Sequence, residues 1–472
     1  MTKNNEKDIV QLSVSKGDKL FNDNTPFVIN IFSPESKALK KKCNVDLIFV
    51  IDISGSMAGS KIEMVKKSLI AMVEMMDKNN RIAIILFNNK AQIFYDLQYL
   101  TDKAKKHLKF IINEIKGSGG TNISGGLESA INILEKDKDL SKPYRTSSVI
   151  LLSDGCDNEL NDIELVQKLK DLTKGKDLDF TLNTFGYGND HDPNAMRKLA
   201  CTRDGNFYFI EKFEKVAECF GLILGACESV ISNKASLIIE LLNKKCEIKK
   251  VFGEEYFFQH EIKPNFFTTT MLQFICGKEF TYVLEFEIKL NDVKIGEDLL
   301  SVDFIYPDQE NNFRRKSIIY KYESKDKNYS KANKEYIRSQ VYSVIDKSLE
   351  LKVNNQKEKA KDSLKEMKDW LIENNQSEEQ NKLFLEDINK ALNYYENEKE
   401  FERKGKAVIY NNVMENQKKY DSSERKLYSN ILQEHYSSTS RELLHKSCRN
   451  IKNEKLEEFY KIKSSKKKCL IF

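Results

Sequence analysis

The chain has 472 residues, too many for one ordinary hydrophobic core, so about two to four domains are expected. Lys and Arg number 77 against 72 Asp and Glu, and a net +5 over this length gives no argument for nucleic acid as a partner. Hydrophobic residues make up 40%, enough for a folded interior, yet no apolar run reaches the length of a membrane span.

The polar start MTKNNEKDIVQ is unlike a signal peptide. The nine cysteines are scattered without a CxxC pair, which fits reduced thiols in a cytosolic protein better than a disulfide framework or a zinc site. Residues 1–44 offer one predicted strand, at 27–32 between Pro26 and Pro34, which could belong to a β unit further on.

From 45 to 232 apolar runs alternate with amphipathic helices. The runs are VDLIFVID, RIAIILF (81–87), SSVILLS (147–153), LDFTLNTFGYG (178–188) and NFYFI (206–210). Between the first two, Ile62, Val65, Leu69, Met72, Val73 and Met76 recur at helical spacing. Strands that are apolar throughout, with helices between them, predict an α/β fold with a doubly wound, mostly parallel sheet.

The texture changes at 233–325, where strands follow one another without helices and YVLEFEIKL (282–290) alternates as a half-buried antiparallel strand does. A β-sandwich-like domain is expected there. Residues 326–460 lose Pro and almost all Gly, and the spacing of Ala360, Leu364, Met367 and Leu371, and of Leu385, Ile388, Leu392 and Tyr395, predicts an α-helical region.

The chemistry concentrates at the ends of the α/β strands. Asp52 ends the first apolar run, and Ser54 and Ser56 follow at alternate positions, with Gly55 expected to permit the turn and a close approach. The glycine-rich GGTNIS opens a helix at 124–135 and offers the hydroxyl of Thr121; SDG follows VILLS and offers Asp154. Ligands of open α/β sheets bind outside the carboxyl ends of the strands. Hydroxyls and carboxylates are hard oxygen donors, suited to Mg²⁺ (or Mn²⁺) rather than to zinc.

Catalytic alternatives are poorly supplied. Hydrolases that transfer phosphoryl groups through a strand-end aspartate need a second acid two positions on, where Ser54 stands. GSGG at 117–120 lacks the lysine of a P-loop. His191, in GYGNDHDP, is expected to be a solvated loop histidine. The chain is therefore read as non-enzymatic.

Asp52, Ser54, Ser56, Thr121 and Asp154, in this order and context, resemble the metal-ion-dependent adhesion site of von Willebrand factor type A domains over about residues 45–232. The resemblance implies serines that bind the metal directly, aspartates that act mostly through water, and a Thr121 that binds directly in the ligand-occupied state. It leaves one position for an acidic side chain of a partner protein. The stretch from FGYGNDHDPNAMRKLAC onward, with its β-rich and helical sequel, is similar to cytosolic eukaryotic proteins that pair a type A domain with a β-rich, intein-like companion region. Some plant members add a RING finger; the Cys/His spacing of a RING is missing here, so ligase activity is not carried over.

The tail 461–472, KIKSSKKKCLIF, has five lysines and no acid. Cys469 fits a C-a-a-X prenylation signal, and Lys466, Lys467 and Lys468 would add attraction to an anionic leaflet. The expectation is a metal-dependent protein-interaction module held peripherally on the cytoplasmic face of a membrane. The alternative is a soluble scaffold or adaptor in ubiquitin transfer with a structural metal site.

Overall fold

A computed structural model describes residues 10–444 except 35–41, 138–143, 189–190, 213–214, 253–257, 261–262, 289–292, 324–325, 375–377 and 420–427. Cys469 and Lys466, Lys467 and Lys468 lie outside the described residues.

The chain starts with two strands, β1 (Gln11–Lys16) and β2 (Thr25–Phe32), where one was expected. It then enters the α/β unit: β3 (Asn44–Asp52), α1 (Ser60–Met75), β4 (Arg81–Phe87), β5 (Ala91–Tyr99), α2 (Asp102–Ile112), α3 (Ile123–Lys136), β6 (Arg145–Ser153), α4 (Asp162–Thr173), β7 (Phe180–Tyr187), α5 (Pro193–Thr202), β8 (Phe207–Ile210) and α6 (Lys215–Glu228). The sheet order is β5-β4-β3-β6-β7-β8. All neighbours are parallel except β4 and β5, which form an antiparallel hairpin. β3 is buried from Val45 to Asp52, as a central strand covered by helices on both faces must be. β5 was not among the expected strands; it is an edge strand whose residues are mostly exposed or half-buried, so it lacks an apolar run.

The second region holds β9 (Val230–Ser232), β10 (Ala235–Leu241), β11 (Cys246–Val251), β12 (Phe258–His260), β13 (Lys263–Met271), β14 (Phe274–Ile275), β15 (Glu279–Ile288), β16 (Asp298–Pro307) and β17 (Phe313–Lys321). Two antiparallel sheets, β1-β2-β15-β11 and β12-β13-β10-β16-β17, pack face to face, and β2 is buried on its other face as well; β9 pairs with β14. Phe27, Ile29, Ile31, Leu284 and Phe286 from the first sheet share a core with Leu237, Ile239, Val302 and Phe304 from the second. Because β2 lies between β1 and β15, the chain leaves this unit at Phe32 and returns to it only after α6.

The helices α7 (Tyr329–Val353), α8 (Lys357–Glu373), α9 (Glu378–Glu396) and α10 (Lys406–Lys418), and a last helix at 431–444 (α11), tie the two units together. α7 packs on β2 and β15, where the Tyr336 hydroxyl donates to Glu285 over 2.9 Å. α10 packs on α5 and β8, and Asn411 accepts a hydrogen bond from the Phe209 backbone over 3.1 Å. Among the described residues no helix is long and apolar enough to cross a membrane.

Candidate metal centre

β3 has β4 on one side and β6 on the other, so the chain runs both ways from it and a crevice opens at the carboxyl ends of β3 and β6. Asp52 ends β3 and Asp154 follows β6; both side chains are wholly buried (0% exposed). The Ser54 backbone N–H donates to Asp52 Oδ1 over 2.7 Å, and the Ser153 hydroxyl donates to Asp52 Oδ2 over 2.6 Å. Ser54 Oγ and Ser56 Oγ are 3.0 Å apart, and Ser56 Oγ donates to Asp154 Oδ1 over 2.7 Å. Asp52, Ser54, Ser56 and Asp154 thus form one hydrogen-bonded chain, open to solvent at Ser56.

Thr121 enters from the second loop. Its carbonyl accepts from the Asn158 N–H over 3.0 Å, and its hydroxyl lies 3.5 Å from where a Cβ on Gly155 would stand. The threonine oxygen therefore faces the third loop at Gly155, the residue after Asp154. Asp157 fastens these loops: Oδ2 accepts from the N–H groups of Ile123 (2.7 Å) and Ser124 (3.2 Å) at the start of α3, while Oδ1 accepts from Glu159 and Leu160.

The glycine that permits the close approach is not Gly55, whose Cβ would meet nothing nearer than 3.6 Å. It is Gly117, where a Cβ would come within 3.0 Å of Ser54 O and Ala58 N, and Gly119, with φ +89°. The Ser118 N–H donates to Ile53 O over 2.6 Å and the Gly55 N–H to Gly119 O over 2.9 Å, so the second loop forms a backbone seam with the first. Asn88 and Asn89 in the β4–β5 turn hold it from behind, through Ser118 O and the Gly120 N–H.

Burial raises the Asp52 carboxyl above its ordinary range; the hydrogen bonds from Ser153 and Ser54 oppose that, and nearby Asp154 adds to it. The ammonium of Lys61, in the first turn of α1, ion-pairs with Asp154 Oδ2. His191 is not the solvated loop residue expected. It is 5% exposed, seated over Gly186 and against the rings of Phe207 and Phe209, and burial pushes it down to about 4.

Of the residues singled out in the sequence, the structure joins Asp52, Ser54, Ser56 and Asp154 directly, with Thr121 beside them. Missed were Ser153, Lys61, Asn88, Asn89 and Asp157. The Asn-Asn pair directly after the apolar run RIAIILF was a turn signal that could have flagged the hairpin.

Residues 46–221 match the family "von Willebrand factor type A domain". The Synechocystis protein sll0103 is 28% identical over 201 residues, covering 43% of this chain and 46% of that protein. Human inter-alpha-trypsin inhibitor heavy chain H3 is 30% identical over 184 residues, 38% of this chain and 20% of that protein. The matched stretch thus spans less than half of either relative's length. Among solved structures, a von Willebrand factor type A protein from Catenulispora acidiphila superposes with a TM-score of 0.63 at 14% identity, covering 89% of this chain and 98% of that one. The ArnB paralog VWA2 from Sulfolobus acidocaldarius gives 0.54 at 15% identity over 87% of this chain and 99% of that one. The likeness of these two structures extends the shared fold over the β-rich and helical regions as well. Residues 46–221 of this chain are a von Willebrand factor type A domain, set in a larger fold with a β-rich unit and C-terminal helices.

Proposed function

We propose that the type A domain is a non-enzymatic protein-interaction module in which a divalent cation, Mg²⁺ or Mn²⁺, grips a carboxylate of a partner protein. The observation that carries this reading is the chain of oxygens Asp52, Ser54, Ser56 and Asp154 at the crevice between β3 and β6, with Thr121 at its side. The set fits a hard cation: it contains only hydroxyl and carboxylate oxygens, and two buried carboxylates share one small volume. Ser54, Ser56 and Thr121 would hold the ion, with Asp52 and Asp154 behind them. When bound, the cation supplies a Lewis-acidic position for an anionic oxygen.

The protein's own part is to hold the donors still. Ser153 orients Asp52, Asp52 fixes the first loop through the Ser54 N–H, and Asp154 orients the Ser56 hydroxyl. Ser56, exposed at the rim, marks the side from which a partner approaches. Type A domains commonly mediate protein–protein contacts, and that favours binding over catalysis.

The test is affinity capture by the full chain in Mg²⁺ against EDTA, with Asp52→Ala as control. Partners lost in EDTA and lost with Asp52→Ala are expected; identical capture in all conditions contradicts the reading. The membrane part of the proposal rests on Cys469 and the lysines at 466–468. Mass spectrometry of the cysteine-containing peptide from cells should find a prenyl thioether, and Cys469→Ser should move the protein to the soluble fraction; an unmodified thiol removes the anchor.

A further inference from the structure

Lys61 lies five residues beyond Ser56, in the first turn of α1, and its ammonium takes the Asp154 oxygen that Ser56 leaves free. The two partners are unequally placed: the Asp154 side chain is 0% exposed and the Lys61 side chain 23% exposed. Asp52, equally buried, is joined to the same carboxylate through Ser54 and Ser56. The crevice therefore places two carboxyl groups out of water and pairs one of them, Asp154, with an ammonium. A buried carboxylate stripped of its counter-ion is strongly destabilising, so this pairing holds the crevice together when no other cation is there.

An ammonium and a dication cannot both sit against one small buried carboxylate without strong mutual repulsion, because charges in a poorly polarisable interior are only weakly screened. Lys61 has the means to leave: a flexible four-carbon stem with a route to solvent. Asp154 does not.

We propose that Lys61 is a built-in counter-ion that competes with the divalent cation for Asp154, and so sets how tightly the metal is held. The inference rests on the metal reading above and adds a residue that regulates it. Lys61 keeps the empty crevice stable at the expense of metal affinity, so half-loading the site takes a higher concentration of the ion.

The experiment is calorimetric titration of Mn²⁺ and Mg²⁺ into the full chain at neutral pH, for the parent, Lys61→Met and Lys61→Arg, with metal-free melting of each. Lys61→Met should bind Mn²⁺ about tenfold tighter, the factor that about 1.4 kcal/mol of lost competition produces. It should also melt lower than the parent without metal. Lys61→Arg, which keeps the charge, should stay near the parent in both respects. Equal or weaker affinity in Lys61→Met, with the parent binding normally, overturns the competition while leaving the metal reading intact. Absence of heat from parent and variants alike sinks both. If Lys61→Met does not fold without metal, its recovery at Mn²⁺ concentrations that half-load the parent supports the proposal, and failure to recover overturns it.

Discussion

Asp52 is a carboxyl wholly buried by the fold and given one hydroxyl and one amide as donors. A carboxyl raised above its unfolded value makes the ionised form costly in the folded state, so stability is lost as pH rises through the carboxylate range toward neutrality. Asp52→Asn removes the charge and keeps an acceptor for one of the two bonds. Without metal this variant should melt higher than the parent at neutral pH, and it should no longer gain stability from added Mg²⁺; a variant that melts lower and still responds to Mg²⁺ would show that Asp52 does neither job. His191 works in the opposite pH range. Burial pushes it down to about 4 from an unfolded value of about 6.5, so the unfolded chain takes up the proton first. Its contribution is intact above about pH 6.5 and is lost as pH falls toward 4, on the order of 3 kcal/mol across that window. Denaturant midpoints measured across that window should drop for the parent and drop less for His191→Leu; parallel curves would refute the buried, neutral state.

Between elements, two backbones pack closely where α11 crosses α6. A Cβ on Gly221 would come within 2.4 Å of the Tyr436 carbonyl oxygen, and one on Gly225 within 2.5 Å of the Gln433 Cα. These are backbone atoms, which cannot swing away. Either Gly→Ala change should cost about 1–3 kcal/mol, as overpacking does, and chemical denaturation measures it; a neutral outcome would mean that α11 is not docked there. Such a contact is invisible in sequence, because α6 reads as an ordinary apolar helix and the partner lies some 210 residues later. The legible elements were those whose environment is uniform. β3 and β4 are buried on both faces and spell almost continuous apolar runs, as do residues 149–152 of β6, while β7 is equally buried and keeps apolar side chains at Phe180, Leu182, Phe185 and Tyr187. β1 and β5, with few apolar residues facing a core, carry no such signal. The site divides in the same way. Asp52, Ser54, Ser56 and Asp154 sit at fixed offsets after strands and could be singled out from sequence, whereas Lys61, Ser153 and Asp157 act through contacts made by folding, and His191 was misjudged because its ring packs over Gly186.

At the scale of the whole molecule, the α/β core continues into the helices. Ile337, Val341, Tyr342 and Leu349 of α7 and Ile409 and Val413 of α10 belong to the same buried cluster as β3, β4 and β6. Arg197 on α5 reaches Asp346 on α7 with two bonds of 2.8 and 2.9 Å. Shared burial of this kind makes unfolding cooperative, and the single tryptophan, Trp370 on α8, its ring centre 4.1 Å from that of Phe21, reports on it from the helical side. Trp370 fluorescence and far-ultraviolet circular dichroism should give one coincident transition, and Mg²⁺ should shift both; separate midpoints would mean that the units melt independently. If the ion is held at 100 times its dissociation constant, that shift corresponds to about 2.7 kcal/mol. The measurement that bears most directly on the proposed metal site is calorimetric titration of Mg²⁺ and Mn²⁺ into the full chain and into Asp52→Ala. One ion bound per chain by the parent and none by the variant is the expected result; no heat with either ion, or undiminished binding by Asp52→Ala, would contradict it.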